Sequence, residues 1–570
     1  MRKIVRINTK TNTVSISPES DEYRKLAGRA LAAHFVSAEV DPACEPLGPD
    51  NKMILAGMML TGTTFSMANR LSVGCKSPLT GTIKESNVGG TAAPYLAAHG
   101  IKALILEDQP EAPACNVILI SAAGEIRVEN GAYLKGLGTY KSVGLLREKY
   151  GEKASVMVIG PAGERQYLNS AIMVTEFGID SPTRAAARGG VGAVLGSKGI
   201  KAIVIEKAAE PYKFPYADWE RFKEASKKVT QAILDSRGFL STDGTAAILG
   251  FTIPSGMAPL ENFSGGIMSE EDQALFNVTK TMERIRSYGG GTGHACQPGC
   301  LVKCSNIVND ANGNFLTAGF EYETIELFGP NCKIHDLDTI AKMDRFCDDF
   351  GFDTIEAAVT LGIYRDKKGK GSFEWSDGKD ALTMFESFYE GGELADDFGM
   401  GAERFGKKYG VRRIPTVKGQ AIAAYDPRAM KGTGTVYALS TMGADHTAGN
   451  SLGVPGLVGT EKAGSLDFAI TKQSAMAAMD SHMCLFCWGV VAADLQVYAD
   501  MVAAAYGFDL TAADITALGE QTIALEREFN RRAGIRPDQD ALPEFFYTDP
   551  TPEGAVFDIT AEEIAEKWHA

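Results

Sequence analysis

The sequence predicts an α+β protein, in which a β-rich, pseudo-symmetric N-terminal domain is followed by two mainly α-helical domains. Three observations predict this class. β-like segments are concentrated in the first two hundred or so residues, that region contains an internal repeat, and helical periodicity dominates after about residue 207. A chain of 570 residues is too long for one core. We therefore predict domains at 1–207, 208–412 and 413–570.

The β-like segments begin at the N-terminus. Residues 3–8 and 13–17 alternate in character around a turn-forming Thr-Lys-Thr-Asn, which predicts a hairpin. Further runs of β-forming residues, separated by glycines and short helical patterns, predict strands at 103–106, 116–121, 156–159 and 202–205.

An internal repeat lies within this domain. Residues 100–107, Gly-Ile-Lys-Ala-Leu-Ile-Leu-Glu, are echoed by residues 199–206, Gly-Ile-Lys-Ala-Ile-Val-Ile-Glu, and a Gly-Gly pair precedes each copy. A glycine loop at a helix start can present backbone N–H groups to an anion, although a tight turn is the commoner role of one such pair. The duplication predicts two glycine-lined cradles, at Gly89-Gly90 and Gly189-Gly190.

The remainder of the chain is predicted to be mainly helical. Helical periodicity predicts helices over 219–234, 336–350 and most of 466–529. Asp353, with Glu356 three residues later, forms the reciprocal capping pattern that opens a helix, so 347–352 is predicted to be an interhelical turn. Ile-Pro within 413–416 interrupts the helical pattern and marks the second boundary.

Composition and charge exclude several classes of partner. A formal net charge of −15 argues against nucleic acid and anionic membranes, since both favour a basic surface. The first fifteen residues lack the apolar run of a signal peptide, and no uninterrupted apolar stretch reaches about 18 residues. We therefore expect a cytoplasmic protein, whose ten cysteines are thiols or metal ligands rather than disulfides.

Three of these cysteines fall within nine residues, in Cys296-Gln-Pro-Gly-Cys300-Leu-Val-Lys-Cys304. Soft thiolates at this spacing can wrap one face of an iron–sulfur cube, and Cys484 or Cys487 could supply the fourth ligand. A structural zinc site uses the same four ligands, so the spacing alone leaves zinc open. Inert buried cysteines are the remaining alternative.

Several segments together resemble the tungsten-containing aldehyde ferredoxin oxidoreductases. The matches occur in that family's order and span residues 1 to about 490. They comprise two pterin-binding stretches at 70–90 and 188–198, two Asp-x-x-Gly-Leu type motifs at 348–354 and 480–486, and the active-site Glu and His segments at 319–324 and 443–446.

This resemblance implies tungsten, or molybdenum, held by the four dithiolene sulfurs of two pterins, with no protein side chain on the metal. It also implies Mg²⁺ bridging the pterin phosphates and one [4Fe-4S] cluster. The implied cofactor-binding residues are Arg70, Lys76, Asn87, Gly89, Gly90, Arg188, Gly189, Gly190, Asp348, Phe352, Asp353 and Asp480. The implied cluster ligands are Cys296, Cys300, Cys304 and Cys484, which we prefer to Cys487 because Leu-Phe follows it.

The resemblance further implies that Glu323 and His446 lie beside the metal as an acid–base pair. The expected reaction oxidises a small-molecule aldehyde to a carboxylic acid, with electrons passing through the cluster to ferredoxin or a dedicated iron–sulfur subunit. A homodimer is one expected assembly. Two alternatives stay open: a bis-pterin reductase subunit acting on a non-aldehyde substrate with partner electron-transfer subunits, and a non-catalytic metal-binding protein.

Two departures from the family's pattern point to a divergent member. The family has Cys-x2-Cys-x3-Cys, whereas three residues separate Cys296 from Cys300 here. The spacing from Asp480 to Cys484 is one residue shorter than in the family. These departures bear on Cys296, on Asp480 and on the choice between the two late cysteines.

Overall fold

The computed structural model describes residues 1–367, 374–454, 457 and 459–569. The strands are β1 (Lys3–Asn8), β2 (Thr13–Pro18), β3 (Met53–Gly57), β4 (Leu71–Lys76), β5 (Ile83–Val88), β6 (Ile101–Glu107), β7 (Asn116–Ile120), β8 (Ile126–Asn130), β9 (Ser155–Val158), β10 (Ile172–Val174), β11 (Arg184–Ala186), β12 (Ile200–Ile205), β13 (Gly291–His294), β14 (Ser305–Asn309), β15 (Phe315–Ala318), β16 (Thr416–Val417) and β17 (Gln420–Ala421).

The α-helices are short in the N-terminal domain and longer after it. They are α1 (Asp21–Arg24), α2 (Gly28–Glu39), α3 (Ala92–Ala98), α4 (Thr139–Tyr150), α5 (Pro161–Glu164), α6 (Val191–Ser197), α7 (Trp219–Ser236), α8 (Leu249–Thr252), α9 (Glu270–Leu275), α10 (Val278–Arg286), α11 (Tyr322–Phe328), α12 (Leu337–Phe350), α13 (Thr354–Lys367), α14 (Lys379–Ser387), α15 (Glu393–Gly399), α16 (Ala402–Lys408), α17 (Lys431–Leu439), α18 (Ser465–His482), α19 (Trp488–Val491), α20 (Leu495–Tyr506), α21 (Ala512–Arg532), α22 (Phe545–Thr548) and α23 (Ala561–Trp568). The predicted α+β class is confirmed.

The N-terminal domain contains two six-stranded sheets with the same topology. Their orders are β2-β1-β6-β3-β4-β5 and β8-β7-β12-β9-β10-β11, so each strand of the first sheet has a counterpart six strands later. In both sheets the repeat strand, β6 or β12, pairs parallel with a hairpin strand and antiparallel with its other neighbour. Apolar side chains from both sheets form one shared core. The predicted pseudo-symmetric duplication is confirmed.

The two repeats share an irregularity that carries a buried lysine. Each parallel ladder skips one residue, Lys102 in β6 and Lys201 in β12. Both lysine side chains are buried, and their ammonium groups pair with Glu19, at 3.3 Å, and with Glu164. A buried ammonium needs such a partner to offset its lost hydration. The two repeats therefore share a buried lysine–glutamate ion pair as well as a strand order.

Much of the helical region packs around one large apolar core, and α7, α18 and α20 contribute to a second. The large core draws residues from both predicted helical domains, so the boundary at 412/413 stays a prediction. Helix α12 continues through Phe350, and the turn that follows it is Gly351 to Asp353, so the turn predicted over 347–352 was placed too early. Gly351 has φ +87°, a left-handed conformation that suits glycine.

The reciprocal cap predicted for α13 is only half present. The Asp353 carboxylate accepts a hydrogen bond from Ile355 N at 2.9 Å, as a helix-capping aspartate should. Glu356 instead accepts from Ala421 N, also at 2.9 Å. Glu356 therefore makes a tertiary hydrogen bond to β17 in place of the local capping hydrogen bond.

One helical run in the described part of the chain, Leu485–Tyr506, meets the length and hydropathy criteria for a membrane span. It is divided between α19 and α20 and contains Asp494 and Asp500. The inward side chains of α20, such as Tyr498 and Val502, are buried in the core shared with α7. A core helix of this kind passes the same test.

Candidate cofactor and active site

A cavity opens where the two sheets meet the helical region. The edge strands β5 and β11, which are counterparts in the two repeats, adjoin here and form one wall. Residues from α11, α12, α13 and the segments around 446 and 480 complete the cavity. Nine predicted site residues line it: Arg70, Asn87, Arg188, Glu323, Asp348, Phe352, Asp353, His446 and Asp480.

The four predicted glycines stand behind this lining. They permit close approaches that a side chain would block: an added Cβ would lie 3.3 Å from Cys296 Sγ at Gly89, 2.7 Å from Lys84 Cγ at Gly189, 2.8 Å from Thr175 O at Gly90 and 2.4 Å from Leu168 O at Gly190. The two pairs flank β5, whose residues Glu85 to Asn87 face the cavity. The glycines therefore lie behind the residues that line the cavity, where they allow neighbouring segments to pack closely.

Lys76 does not line the cavity, which corrects its prediction as a cofactor-binding residue. Its ammonium group is buried and donates to the carbonyl oxygens of Pro42, at 2.5 Å, and Cys44, at 2.7 Å. Lys76 ends β4 and ties down the loop that follows α2. Its motif position is matched, but its side chain faces away from the cavity.

Arg188 offers an unpaired donor to the cavity. Its Nη2 donates to Ala421 O at 2.5 Å and Ala444 O at 3.1 Å, and its Nε lies 3.2 Å from Asp353 Oδ2 without hydrogen-bond alignment. Its buried Nη1 has no partner. A buried guanidinium nitrogen without an acceptor is costly, so this site fits an anionic or carbonyl-rich ligand such as a pterin phosphate or ring.

Arg70 stands between the cavity and the clustered cysteines. Its Nε donates to Asn87 Oδ1 and its Nη2 to Asn87 O at 3.2 Å. Burial lowers the pKa of Arg70, but the thiols of Cys484, Cys296 and Cys304 outweigh burial and raise it above its ordinary value. One cation therefore faces both the cavity and the sulfur groups.

Arg184 is a cavity residue that the sequence analysis missed. Its guanidinium lies 3.2 Å from Glu176 and 3.5 Å from Glu321. It packs so closely over Gly319 that a Cβ there would overlap it. The repeat held a signal for it, because Arg184 and Lys84 both stand five residues before the first glycine of a pair.

Buried carboxyl groups form a second wall. Burial raises the pKa of Asp348 and Asp480 well above the ordinary range, and it raises the pKa of Asp344 to about 7. Asp348 accepts from Tyr140 Oη at 3.2 Å, and Asp480 from Arg29 Nη1 at 3.3 Å. These carboxyl groups remain able to bind the N–H groups of a polar heterocycle, so they also fit a pterin.

Glu323 and His446 both line the cavity and contact each other. Glu323 Oε1 lies 3.3 Å from His446 Nε2, while Glu323 Oε2 accepts from Ala424 N at 2.7 Å. His446 Nδ1 is buried without a partner. A carboxylate held by a backbone donor and placed against an imidazole is suited to moving protons.

Asp445, the residue before His446, belongs to a buried ion pair. Lys84 Nζ is buried and donates to Asp445 Oδ2 at 3.1 Å. Burial raises the pKa of Asp445, but Lys84, Arg188 and His446 together lower it by more than burial raises it. The pKa of Asp445 therefore lies below the ordinary value. The aliphatic part of the Lys84 side chain packs against Gly189. Lys84 therefore contacts both the Gly189-Gly190 turn and the residue that precedes His446.

The cysteines converge beside Arg70. Cys296, Cys300 and Cys484 are each 6% exposed, and Cys304 is half-buried. The Cys300 thiol interacts with Cys296, which lowers the pKa of Cys296 and raises that of Cys300. Burial and the neighbouring sulfur charges raise the pKa of Cys304. Three buried thiols and one half-buried thiol that influence one another's pKa fit a cationic iron–sulfur core, which would neutralise the charge of their thiolates.

The two late cysteines differ in their surroundings. Cys484 N donates to Met67 O at 3.1 Å, and its thiol interacts with Arg70 and Cys296. Cys487 is completely buried, and of the cysteines only Cys484 influences its pKa. Both late cysteines belong to the same apolar cluster. Among the described residues, no three His, Cys, Asp or Glu side chains are arranged to hold a single metal ion. Of the two late cysteines, Cys484 is the one placed to interact with Arg70 and Cys296.

Contacts with the N-terminal domain hold the Asp480 segment in place. Arg29 pairs with Glu526 at 2.8 Å and with Asp480 at 3.3 Å, and Ala30 N donates to Ser481 Oγ at 3.0 Å. An added Cβ on Gly28 would lie 2.4 Å from Asp480 O. Helix α2 thus fixes the last turn of α18, which contains Asp480 and is followed by Cys484.

Glu356 beside this site predicts a pH-dependent stability. Burial raises its pKa to about 7, while its Oε1 has no partner. The folded chain therefore keeps a proton that the unfolded chain releases, so stability should fall as pH rises from about 4.5 to 7. Glu356→Gln should remove that part of the slope, at most about 3 kcal/mol. Thermal unfolding at pH 5, 6, 7 and 8 measures it.

Glu566→Gln, at an exposed position of α23, is the control and should keep the wild-type slope. An unchanged slope in Glu356→Gln would show that Glu356 is ionised throughout this range.

Comparison with known proteins agrees with this architecture. A model of the aldehyde ferredoxin oxidoreductase N-terminal domain matches residues 4–207, and a model of domains 2 and 3 of the same proteins matches residues 222–568. The tungsten-containing aldehyde ferredoxin oxidoreductases of Pyrococcus furiosus and Thermococcus kodakarensis are each 31% identical to this chain, over 97% of its length and 92% of theirs.

More distant similarities reach proteins with other names. The aliphatic sulfonate oxidoreductase WOR-like subunit of Pyrococcus furiosus is 24% identical, over 96% of this chain and 89% of that one. Among solved structures, the active site complex BamBC of benzoyl coenzyme A reductase with 1,5-dienoyl-CoA has a TM-score of 0.80 at 17% identity. The match covers 100% of this chain and 94% of that one, which shows the shared fold.

The matches across the whole chain define an oxidoreductase of the tungsten–pterin class. The chain belongs to the aldehyde ferredoxin oxidoreductase family, as a divergent member.

Proposed function

We propose that this protein oxidises an aldehyde to a carboxylic acid in the cytoplasm, with water as the oxygen source, and passes the electrons through a [4Fe-4S] cluster to ferredoxin or a similar iron–sulfur carrier. The overall reaction takes one aldehyde and one water to one carboxylic acid, two electrons and two protons. The observation that carries the proposal is the pair of Glu323 and His446, 3.3 Å apart in the cavity beside Arg70 and the cysteines.

The cofactor would be held by residues of both halves of the cavity. Arg70, Asn87 and Arg188 would bind the pterin phosphates and rings from the sheets. Asp348, Phe352, Asp353 and Asp480 would bind the pterins from the helices. A bound magnesium ion would neutralise part of the phosphate charge. When bound, the tungsten–pterin group supplies the two-electron redox step.

The chain's own residues would manage protons and orientation. Glu323 would accept the proton of the attacking water, because its other oxygen is fixed by Ala424 N. His446, across from it, would donate from Nε2 to the aldehyde oxygen. Asp445 and Lys84 would fix the segment that carries this imidazole. The buried surroundings would exclude bulk water and strengthen each of these interactions.

The cluster would be bound by Cys296, Cys300, Cys304 and Cys484. Their convergence beside Arg70, at the end of the cavity marked by Gly89, supports this assignment. Arg70 would offset the negative charge that accumulates when the cluster and the pterin centre are reduced. Held by these cysteines, the cluster would supply single-electron transfer.

Anaerobic purification followed by metal analysis and a viologen-linked screen of aldehydes tests this proposal. We expect tungsten or molybdenum, about four irons per chain, and dye reduction with at least one aldehyde. Metal-loaded protein that reduces no dye with any aldehyde, and that co-purifies with other subunits, would instead indicate a reductase acting on a different substrate. Protein without tungsten, molybdenum and pterin would refute both redox functions.

A further inference from the structure

The surface over Cys304 differs from the rest of the cysteine site. Cys304 is the only half-buried member of the four cysteines, whereas the other three are each 6% exposed. The segment 238–244 lies directly against it, because a Cβ on Gly244 would come 2.6 Å from Cys304 O. Arg237 Nη1 donates to Leu301 O at 3.3 Å, which fixes the start of this segment. Of the four cysteines, Cys304 therefore has the most exposed position.

Two exposed aromatic rings stand on this surface. Phe239 is 43% exposed and Phe251 is 57% exposed, and their ring centroids lie 6.0 Å apart. Leu240 and Leu301, like Cys304, pack at the edge of the apolar cluster that contains Cys300 and Cys484. Adjacent exposed aromatic side chains of this kind are typical of a protein-binding surface.

The charge of this surface opposes that of the whole chain. Arg237 flanks the aromatic pair and Lys303 is exposed beside Cys304. In the described part of the chain, neither cation has a carboxylate within 4.0 Å, and the nearby Asp243 is already paired with Arg286 at 2.5 Å. A chain with a formal charge of −15 therefore presents two cations without carboxylate partners beside the most exposed of these four cysteines.

We propose that this surface, formed by Arg237, Phe239, Phe251 and Lys303, docks a small iron–sulfur carrier protein whose own cluster is rimmed by carboxylates. The proposal rests on the proposed function, which gives Cys304 a cluster to discharge. The cations select an acidic partner and guide its approach, and the rings form the apolar centre of the contact. A second copy of this chain fits less well, since two such cationic surfaces would repel each other.

A charge-reversed double variant, Arg237→Glu with Lys303→Glu, tests the docking site. The anaerobically purified holoenzyme is assayed with aldehyde and either saturating benzyl viologen or an acidic [4Fe-4S] ferredoxin at increasing concentration. We expect viologen reduction within about twofold of wild type, and kcat/KM for ferredoxin reduced at least about tenfold at low salt. The difference should shrink at high salt, because salt screens the charges.

The control is Lys141→Glu, which reverses an exposed lysine on α4 of the second repeat and should change neither assay. Iron content and the cluster's EPR signal must match wild type in both variants. Unchanged ferredoxin kinetics in the double variant would overturn the docking site, as would an altered oligomeric state with unaltered ferredoxin kinetics.

Direct binding of ferredoxin at low salt separates this proposal from the proposed function. If wild-type protein oxidises no aldehyde, the proposed function fails, yet the loss of ferredoxin binding in the double variant would still support the docking surface. Equal ferredoxin binding by both proteins, or no binding by either, would refute it.

Discussion

Glu323→Gln is expected to lower kcat for aldehyde oxidation at least about a hundredfold, with tungsten, pterin and iron contents unchanged. Glutamine has nearly the shape of glutamate, and its carbonyl oxygen can still accept the hydrogen bond from Ala424 N, which measures 2.7 Å in the wild type. It carries no charge and cannot take up a proton. The variant therefore removes proton transfer opposite His446 while the cavity keeps its form.

Single-turnover reduction of the metal centre by aldehyde, monitored anaerobically, measures this effect independently of the electron acceptor. Glu321→Gln is the matched control, because Glu321 also lines the cavity but is engaged by Thr245 and Arg184. We expect this control to keep at least about a tenth of wild-type turnover. Turnover by Glu323→Gln near the wild-type rate would exclude Glu323 as the base.

Cys484→Ala is expected to abolish the [4Fe-4S] signal, whereas Cys487→Ala should preserve it. Removing one of four thiolates leaves one iron of the cube without its protein ligand. Cys484 interacts with Arg70 and Cys296, whereas of the cysteines only Cys484 influences the pKa of Cys487. Iron content and the EPR spectrum of the dithionite-reduced protein measure the difference.

The pair of cysteine variants is internally controlled, since each removes one buried thiol from the same short segment. Cys487→Ala leaves a small apolar cavity, with an expected cost of about 1–2 kcal/mol but no loss of iron. Loss of the cluster in Cys487→Ala, with retention in Cys484→Ala, would reverse the assignment. Retention in both would rule out either cysteine as the fourth ligand.

Local pattern predicted the elements of the N-terminal domain well. The hairpin of β1 and β2 and the repeat strands β6 and β12 lie where alternation and the echoed octapeptide placed them. Helix α7 and the long helices between 465 and 532 were also anticipated. These elements are specified by near neighbours in the sequence, so a periodic pattern is sufficient to find them.

Side-chain direction limited the prediction of the site. Lys76 matches a family motif, but it ends a strand on the side that faces the loop after α2. Arg184 lies outside every quoted motif, yet it enters the cavity because β11 is the edge strand that meets β5. A motif fixes where a residue falls along the chain, whereas the pairing of strands decides which cavity its side chain enters.

The sequence by itself determined the duplicated sheet architecture, the grouping of three cysteines and, through resemblance, the family. The tertiary structure alone brought Glu323 within 3.3 Å of His446, placed Arg70 between cavity and cysteines, and set Cys484 beside Arg70 and Cys296. The physical reason is the distance along the chain over which each feature is defined. A repeated octapeptide and a thiol spacing are each visible within a short stretch of sequence, whereas burial and charge interactions depend on residues that only folding brings into contact.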